Sequence, residues 1–223
     1  MKPVRTPEEG VADVAPGDVV MVGGFGLVGQ PLSLVDALSG AAGARDLTII
    51  SNNLGEPGRG LGRVLLDGRV SHAIGSFFTS NPDVVQWHTE GRLGLTLMPQ
   101  GTMAEAIRAG GAGLGGFYVQ TAVGTLLAEG QEQREIDGET YLFQRPLKAD
   151  VALIRAARAD ELGNLVYSRT ARNFNPEMAT AARHVIAEVD EIVPVGTLAP
   201  EAIVTPHVYV DVLVRSRLSI ADL

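Results

Sequence analysis

Residues 19–31, VVMVGGFGLVGQP, decide the fold class, because a run of β-branched and apolar residues leads directly into a glycine-rich loop. An uninterrupted apolar run of this kind is typical of a strand that is buried on both faces of a parallel sheet. The proline that closes the stretch fits the start of a helix. We therefore predict a strand over residues 18–23, then a tight loop, then a helix that begins at Pro31.

The same order of strand, loop and helix repeats along the first half of the chain. Further strands are predicted over residues 47–51, 70–77 and 93–98. Asn81-Pro82 marks one helix start, and Thr102-Met103-Ala104-Glu105 matches the pattern of a capping box at another. Strands that alternate with helices predict an α/β fold, with an open, mainly parallel sheet flanked by helices and joined by right-handed crossovers.

The pattern changes after Gly110, where a glycine-rich segment precedes a predicted hairpin over residues 132–143. Asp137-Gly138 at its centre favours the tight turn of a two-residue hairpin loop. Buried strands are predicted again further along the chain, over residues 151–154, 184–189 and 208–214. We expect residues 1–223 to form a single domain with a small β elaboration around residues 115–145.

Composition excludes several classes of function. The chain has 223 residues, of which 45% are hydrophobic and 20% are charged, as in ordinary soluble proteins. Its formal net charge of -8 argues against nucleic acid as the main partner, since phosphate binding needs a basic surface. The absence of cysteine excludes disulfides, thiolate zinc sites and a cysteine nucleophile. The four histidines lack metal-ligand spacing, so we expect no metal site.

The chain also lacks the sequence signals of membrane proteins. No stretch is apolar and long enough to span a bilayer, and residues 1–5 lack the apolar core of a signal peptide. We therefore expect a cytoplasmic protein that is not bound to a membrane.

Three segments that follow predicted strands form the candidate ligand site, because open α/β sheets bind ligands at the carboxyl ends of their strands. The first is the glycine loop. The second is Ser51-Asn52-Asn53, in which the Asn52 amide can either donate to a developing oxyanion or cap its own turn. The third is Pro99-Gln100-Gly101-Thr102, where Gln100 is either a ligand contact or a polar residue before a helix.

The glycine loop favours an anion, because its glycines remove Cβ atoms and the following helix directs N–H groups toward the same space. Residues 24–29 fit the dinucleotide-binding spacing Gly-x-Gly-x-x-Gly. That fold also needs an acidic residue after the next strand, where this chain has Ser51-Asn52-Asn53. A tight turn with packing glycines is the alternative interpretation. No nucleophile stands beside an evident base, and helix caps or solvated faces account for the nearby carboxylates Asp36, Glu56 and Glu105.

Several motifs together resemble the family I coenzyme A transferases, and within them the A (α) subunits of bacterial 3-oxoacid CoA-transferases. The resemblance covers nearly the whole chain in order. It is carried by Gly23-Gly24-Phe25-x-x-x-Gly29-x-Pro31, Ser51-Asn52-Asn53, Pro99-Gln100-Gly101-Thr102, residues 107–113, residues 170–175 and Tyr209-Val210-Asp211.

The resemblance implies a reaction that exchanges CoA between an acyl-CoA such as succinyl-CoA and an acid such as acetoacetate or 3-oxoadipate. The glutamate nucleophile would lie in a Ser-Glu-Asn-Gly motif of a B subunit, and this chain has no such motif. CoA would be a substrate, with no tightly bound cofactor, and the assembly would be an A–B heterodimer or an A2B2 heterotetramer.

The resemblance also implies roles for individual residues of this chain. Asn52 would donate to the oxyanion, and Gln100 would position the glutamate or the substrate carboxylate. CoA binding would fall to the glycine loop, formed by Gly23, Gly24, Phe25, Gly26, Leu27, Val28 and Gly29.

Some positions depart from the family pattern and leave the acid open. Residues 78–82 differ from the usual sequence, so if they line the acyl pocket the preferred acid would not be acetoacetate. A CoA-transferase chain for another acid, such as glutaconate or acetate, is one alternative. A non-catalytic acyl-CoA or sugar-phosphate binding protein is another, although neither Lys2 nor Lys148 lies on a motif, as a sugar-phosphate isomerase would require.

Overall fold

The computed structural model describes residues 1–223, which form twelve strands and six α-helices. The strands are β1 (Val4–Arg5), β2 (Val19–Val22), β3 (Leu47–Ile50), β4 (Val70–Gly75), β5 (Gly94–Leu97), β6 (Phe117–Val119), β7 (Gln133–Ile136), β8 (Glu139–Gln144), β9 (Ala149–Asp160), β10 (Leu165–Val166), β11 (Ala182–Val193) and β12 (Val212–Arg215). The helices are α1 (Pro7–Val11), α2 (Leu32–Gly40), α3 (Leu61–Leu66), α4 (Pro82–Thr89), α5 (Gln100–Gly111) and α6 (Asn175–Ala181).

The predicted mainly parallel open sheet is confirmed. Its strand order is β1-β12-β11-β9-β2-β3-β4-β5, and every neighbouring pair along this path is parallel. Within this sheet only β10 pairs antiparallel, with β9. Because β2, β3, β4 and β5 are consecutive neighbours, the loops that follow them leave the sheet at one edge.

Both faces of the sheet are covered, which explains the uninterrupted apolar strands. Val20 and Val22 of β2 pack with the leucines of α2 and α3 on one face. Met21, between them, packs with Met103 and Ile107 of α5 on the other face. Successive side chains of a strand point to opposite faces, so a strand covered on both sides has no position for a polar residue.

The small β elaboration is a three-stranded antiparallel sheet in the order β6-β8-β7. Its hairpin turns at Asp137 and Gly138, whose φ angles are 54° and 82°. Two consecutive positive φ angles are what a type I′ turn requires, so the predicted hairpin is confirmed.

Of the two helix starts predicted from caps, the start of α4 is confirmed and the start of α5 is displaced. Asn81 caps α4, since its Oδ1 accepts from the N–H of Asp83 at 3.1 Å. The predicted capping box at Thr102 is wrong, because α5 already begins at Gln100 and the Thr102 hydroxyl is buried without a hydrogen-bond partner.

The predicted strands of the second half are also displaced. β9 and β11 are both twelve residues long, far longer than expected, because each pairs with the other along its whole length. The last strand begins only at Val212, after a 3₁₀ turn over His207–Tyr209. No helix combines the length and the apolar composition that crossing a membrane would require.

Candidate active site

The three predicted segments leave the sheet at the same edge. The glycine loop follows β2, Ser51-Asn52-Asn53 follows β3, and Pro99 follows β5 after one intervening residue. A fourth segment, which begins with Ser76 and Phe77, follows β4 between them. The loop ends therefore form one continuous crevice rim across four neighbouring strands, as expected for a ligand site of an open α/β sheet.

The glycine loop folds back on itself and exposes only its tip. Phe25 donates its N–H to the carbonyl of Val28 at 2.9 Å, and Val28 returns a hydrogen bond at 3.3 Å. Gly26, between them, has a φ of 60°, which favours glycine. Phe25 is 50% exposed and Val28 is 43% exposed, whereas Leu27 is buried. An external ligand of this chain would therefore meet the tip of the loop and not its base.

Two asparagines at the start of α6, Asn173 just before the helix and Asn175 as its first residue, hold the base of the loop. Asn173 Oδ1 accepts from the N–H of Gly24 at 3.0 Å, and its Nδ2 donates to the carbonyl of Val28 at 3.0 Å. Asn175, fully buried, donates from Nδ2 to the carbonyl of Gly29 at 3.1 Å. We call Asn173 and Asn175 the asparagine clasp.

The clasp explains why the base of the loop needs glycine. A Cβ on Gly23 would lie 1.8 Å from Asn175 Oδ1, and one on Gly29 would lie 2.3 Å from the carbonyl oxygen of Ala171. Real Cβ atoms do not approach that closely, so the two glycines make room for groups of their own chain.

The N-terminus of α2 already holds an anion, which is the carboxylate of Glu188. Its Oε2 accepts from the N–H groups of Ser33 and Leu34 at 2.9 and 3.1 Å. Its Oε1 accepts from the Ser33 hydroxyl, from Arg155 Nη1 at 2.6 Å and from the Ser216 hydroxyl at 2.7 Å. The helix N-terminus expected to favour a ligand anion is thus occupied by a side chain from β11.

Burial dominates the ionisation of Glu188. Removal from water raises the pKa of its carboxyl, while the hydrogen bonds from Ser216, Leu34 and Ser33 and the charge of Arg155 act in the opposite direction. Both carboxylate oxygens thus accept hydrogen bonds from groups of the chain itself. We call Glu188 and its five hydrogen-bond donors the Glu188 network.

Asn52 is the opposite case, a buried polar residue with unused donors. It is 2% exposed. Its backbone oxygen accepts from the N–H groups of Ser76 and Phe77 at 3.0 and 3.1 Å, and its Oδ1 accepts from the Ser76 hydroxyl at 2.8 Å. Its Nδ2 has no acceptor in the chain and is not fully enclosed by protein.

The backbone beside Asn52 also has unused donors. None of the N–H groups of Asn52, Asn53 and Leu54 has an acceptor within the chain, although Asn52 and Leu54 are buried residues. Buried backbone donors in native proteins are nearly always paired, with protein, water or ligand. The end of β3 therefore gathers hydrogen-bond donors that an anionic group from outside the chain would satisfy.

Gln100 lies in the first turn of α5 and is exposed. Its side chain makes no hydrogen bond within the chain, and Pro99 provides no side-chain cap for the helix. β5 is two strands from β3 in the sheet, and no hydrogen bond joins Gln100 to Asn52. Gln100 is at the predicted edge, and its side chain is free to contact a group from outside the chain.

The residues after β4 were only partly anticipated from the sequence. In the segment of residues 78–82, considered above for the acyl pocket, Phe78 is 7% exposed and packs in the core, and Asn81 is buried as the α4 cap. The side chain that projects from this segment is Phe77, which is 54% exposed. Ser76, which holds Asn52, was missed. Successive side chains of an extended segment point in opposite directions, and this alternation at the end of β4 could have indicated both Ser76 and Phe77.

The edge carries no evident nucleophile. Three carboxylates form ion pairs instead: Asp36 with Arg63, Glu56 with Arg59, and Glu105 with Arg108. The hydrogen bonds from Arg108 lower the pKa of Glu105, so that residue is held ionised in a surface pair. No three His, Cys, Asp or Glu residues are placed to hold a metal ion. The site can supply donors to an oxyanion, but it does not supply a reactive group.

Comparisons with known proteins identify the family of the chain. The sequence pattern of the family described as Coenzyme A transferase matches residues 4–216. The A subunit of the 3-oxoadipate CoA-transferase of Pseudomonas putida is 48% identical over 209 residues, which are 93% of this chain and 89% of that protein. The A subunit of the succinyl-CoA:3-ketoacid coenzyme A transferase of Xanthomonas campestris is 49% identical over 201 residues, 90% of this chain and 83% of that protein.

Among solved structures, the acyl-CoA transferase YdiF of E. coli O157:H7, in a thioester complex with CoA, superposes with a TM-score of 0.87. The match covers 96% of this chain but only 50% of the YdiF chain, at 22% identity, so it supports the fold alone. The family match spans all the strands of the main sheet and the helices that flank it, and nearly half of the residues aligned with the two relatives are identical. The chain belongs to the coenzyme A transferase family.

Proposed function

We propose that this chain is the A subunit of a CoA-transferase that moves CoA between an acyl-CoA such as succinyl-CoA and a 3-oxo acid such as acetoacetate or 3-oxoadipate. The observation that carries the proposal is the set of unused donors around Asn52 at the end of β3. The relatives named as A subunits of such enzymes support it.

The reaction needs a carboxylate nucleophile, which a partner B subunit provides as a glutamate. The glutamate oxygen attacks the thioester carbonyl, the C–S bond breaks, and a mixed anhydride and CoA thiolate result. The thiolate then attacks the glutamyl carbonyl and expels the acid, which leaves a glutamyl–CoA thioester. The second acid reverses both steps and leaves as its CoA thioester.

Each of these steps passes through a tetrahedral oxyanion. We infer that Asn52 Nδ2 donates to it, because the rest of that side chain is buried and held by Ser76. Donors that are already oriented stabilise the transition state without reorganisation. The neighbouring backbone N–H groups of Asn52 and Asn53 reinforce the same electrostatic field.

The glycine loop contributes to CoA binding through its tip. Phe25, Gly26 and Val28 are the positions that reach solvent, so the contact with CoA is made there, while Gly23 and Gly29 keep the loop in place. CoA enters as a substrate, and no tightly bound cofactor is part of the proposal. Gln100 positions the partner glutamate or the substrate carboxylate from the first turn of α5.

The partner covers the crevice edge. Phe25, Val28, Phe77 and Leu97 lie in or just before the loops at this edge and expose large apolar side chains. Apolar side chains grouped around a polar site are typical of an interaction surface. An A–B heterodimer, or an A2B2 heterotetramer built from it, would cover them.

Which acid accepts CoA is part of the proposal. The relatives named for 3-oxoadipate and for 3-ketoacids are equally similar to this chain, so identity does not decide between these acids. Phe77 is the exposed aromatic side chain next to the Asn52 donors, and we infer that it lines the acyl pocket in place of the buried Phe78.

The test combines this chain with its partner B subunit. The two purified proteins are assayed separately and together for succinyl-CoA-dependent CoA transfer to a panel of acids. Activity is expected only for the mixture. Borohydride reduction of the acyl-CoA-treated mixture should mark a glutamate on the partner chain and none on this one. Transfer by this chain alone, or a trapped thioester on it, would contradict the proposal.

A further inference from the structure

The amide of Asn52 has a single anchor. Of the side chains in this protein, only Ser76 forms a hydrogen bond with it, through the hydroxyl that donates to Oδ1 at 2.8 Å. An asparagine amide rotates about its last bond, and its donor and acceptor ends are similar in shape. Only the NH₂ end can stabilise an oxyanion, so the direction of that end matters for catalysis.

Ser76 is itself held firmly by β3. Its backbone N–H donates to the carbonyl of Asn52 at 3.0 Å, and its neighbour Phe77 donates to the same oxygen at 3.1 Å. These backbone bonds are independent of the serine hydroxyl. The hydroxyl also reaches the Asn52 carbonyl at 3.3 Å, but that oxygen keeps both of its N–H donors when the hydroxyl is removed, so the chain path at the ends of β3 and β4 is maintained without it.

We propose that Ser76 is a positioning residue that keeps Asn52 Nδ2 directed into the crevice. The inference rests on the proposed function, because it names how that site is oriented. With the hydroxyl present, Oδ1 is engaged and Nδ2 is left without a partner in the chain. Without it, the amide rotates among orientations, and part of the donor's preorganisation is lost.

The test compares Ser76→Ala with Ser76→Thr in the complex with the partner B subunit. Ser76→Ala should lower kcat by about 10- to 100-fold with little change in KM, because the lost interaction acts in the transition state. Ser76→Thr keeps a hydroxyl and should recover most of the loss.

A serine near the other end of β4 provides a matched control. Ser71, near the start of β4, also donates its hydroxyl across to β3, to the carbonyl of Leu47 at 3.2 Å, but away from the crevice. Ser71→Ala should leave kcat within about twofold. An equal loss of kcat in Ser71→Ala and Ser76→Ala would show that the loss reflects general weakening of the sheet, and it would overturn the proposal.

A double-mutant cycle distinguishes this inference from the proposed function. In an Asn52→Ala background, Ser76→Ala should cause no further loss, because its effect passes through the amide. A full, additive loss would overturn the positioning role. If Asn52→Ala is without effect, the proposed function fails, and if Asn52→Ala is impaired while Ser76→Ala is normal, only the positioning role fails.

A second measurement does not depend on activity. ¹⁵N relaxation of the Asn52 side-chain amide should report an ordered NH₂ group in the wild type and in Ser71→Ala, and a mobile one in Ser76→Ala. An amide that stays equally ordered in Ser76→Ala would contradict the proposal.

Discussion

Glu188 and Asn52 are both buried polar residues at one end of the same sheet, yet their surroundings differ in one respect. Glu188 is fully buried and accepts five hydrogen bonds from its own chain. Asn52 is almost as deeply buried, and its amide nitrogen and backbone N–H remain without acceptors. The hydrogen bonds of Glu188 are satisfied within the chain, whereas the donors of Asn52 are left open to an external partner.

The difference distinguishes a structural polar cluster from a functional one. Burial of a polar group is tolerated when its hydrogen bonds are satisfied, and the Glu188 network meets that condition internally. The Asn52 donors meet it only when something outside the chain supplies an acceptor. The helix N-terminus at α2, which attracts attention in the sequence, belongs to the structural cluster.

The largest expected effect is on stability and comes from disrupting the Glu188 network. Glu188→Ala should lower the free energy of unfolding by about 3–5 kcal/mol, because Arg155 and the N-terminal N–H groups of α2 lose their buried partner. Urea unfolding measures it. Glu8→Ala is the control, since Glu8 forms an exposed pair with Arg217 and should change the free energy of unfolding far less than Glu188→Ala does. Equal losses for the two variants would show that the Glu188 network stabilises the fold no more than an exposed ion pair does.

A smaller effect should follow from disturbing the asparagine clasp. Gly29→Ala forces a Cβ against Ala171 at a φ of 72°, whereas Gly26→Ala has a φ of 60° and nothing within 4 Å. Both variants carry backbone strain of about 1 kcal/mol. Gly29→Ala should lose at least about 1 kcal/mol more, as measured by thermal unfolding. Similar stabilities would show that the clasp yields easily.

The smallest effect is expected at Gln100, on the open side. Its side chain has no partner in the chain, so Gln100→Ala should leave the free energy of unfolding unchanged within about 0.5 kcal/mol. In the complex with the partner, loss of one hydrogen bond should reduce kcat/KM by up to roughly tenfold. A variant that is less stable but fully active would assign Gln100 to the fold and not to the site.

Much of the fold was predictable from local signals. The apolar strands, the Asn81-Pro82 cap and the Asp137-Gly138 turn each depend on residues close together in sequence, and the structure contains all three. The shared edge of Asn52, Gln100 and the glycine loop followed from the parallel order of the strands.

What could not be predicted depends on contacts between distant parts of the chain. Ser33 and Glu188 are 155 residues apart, and Gly24 and Asn173 are 149 apart, so no local pattern indicates either contact. The predicted capping box at Thr102 is wrong because a local sequence match does not show that α5 already begins before Thr102. The orientation of Asn52 by Ser76 likewise depends on the pairing of β3 with β4.

The most direct test is the single-turnover rate at which acyl-CoA forms the glutamyl–CoA thioester on the partner chain, with Asn52→Ala compared with the wild type. We predict a rate about 10²- to 10³-fold slower, with a loss of unfolding free energy well below that of Glu188→Ala. An unchanged rate in a folded Asn52→Ala complex would contradict the claim that this chain supplies the oxyanion donor.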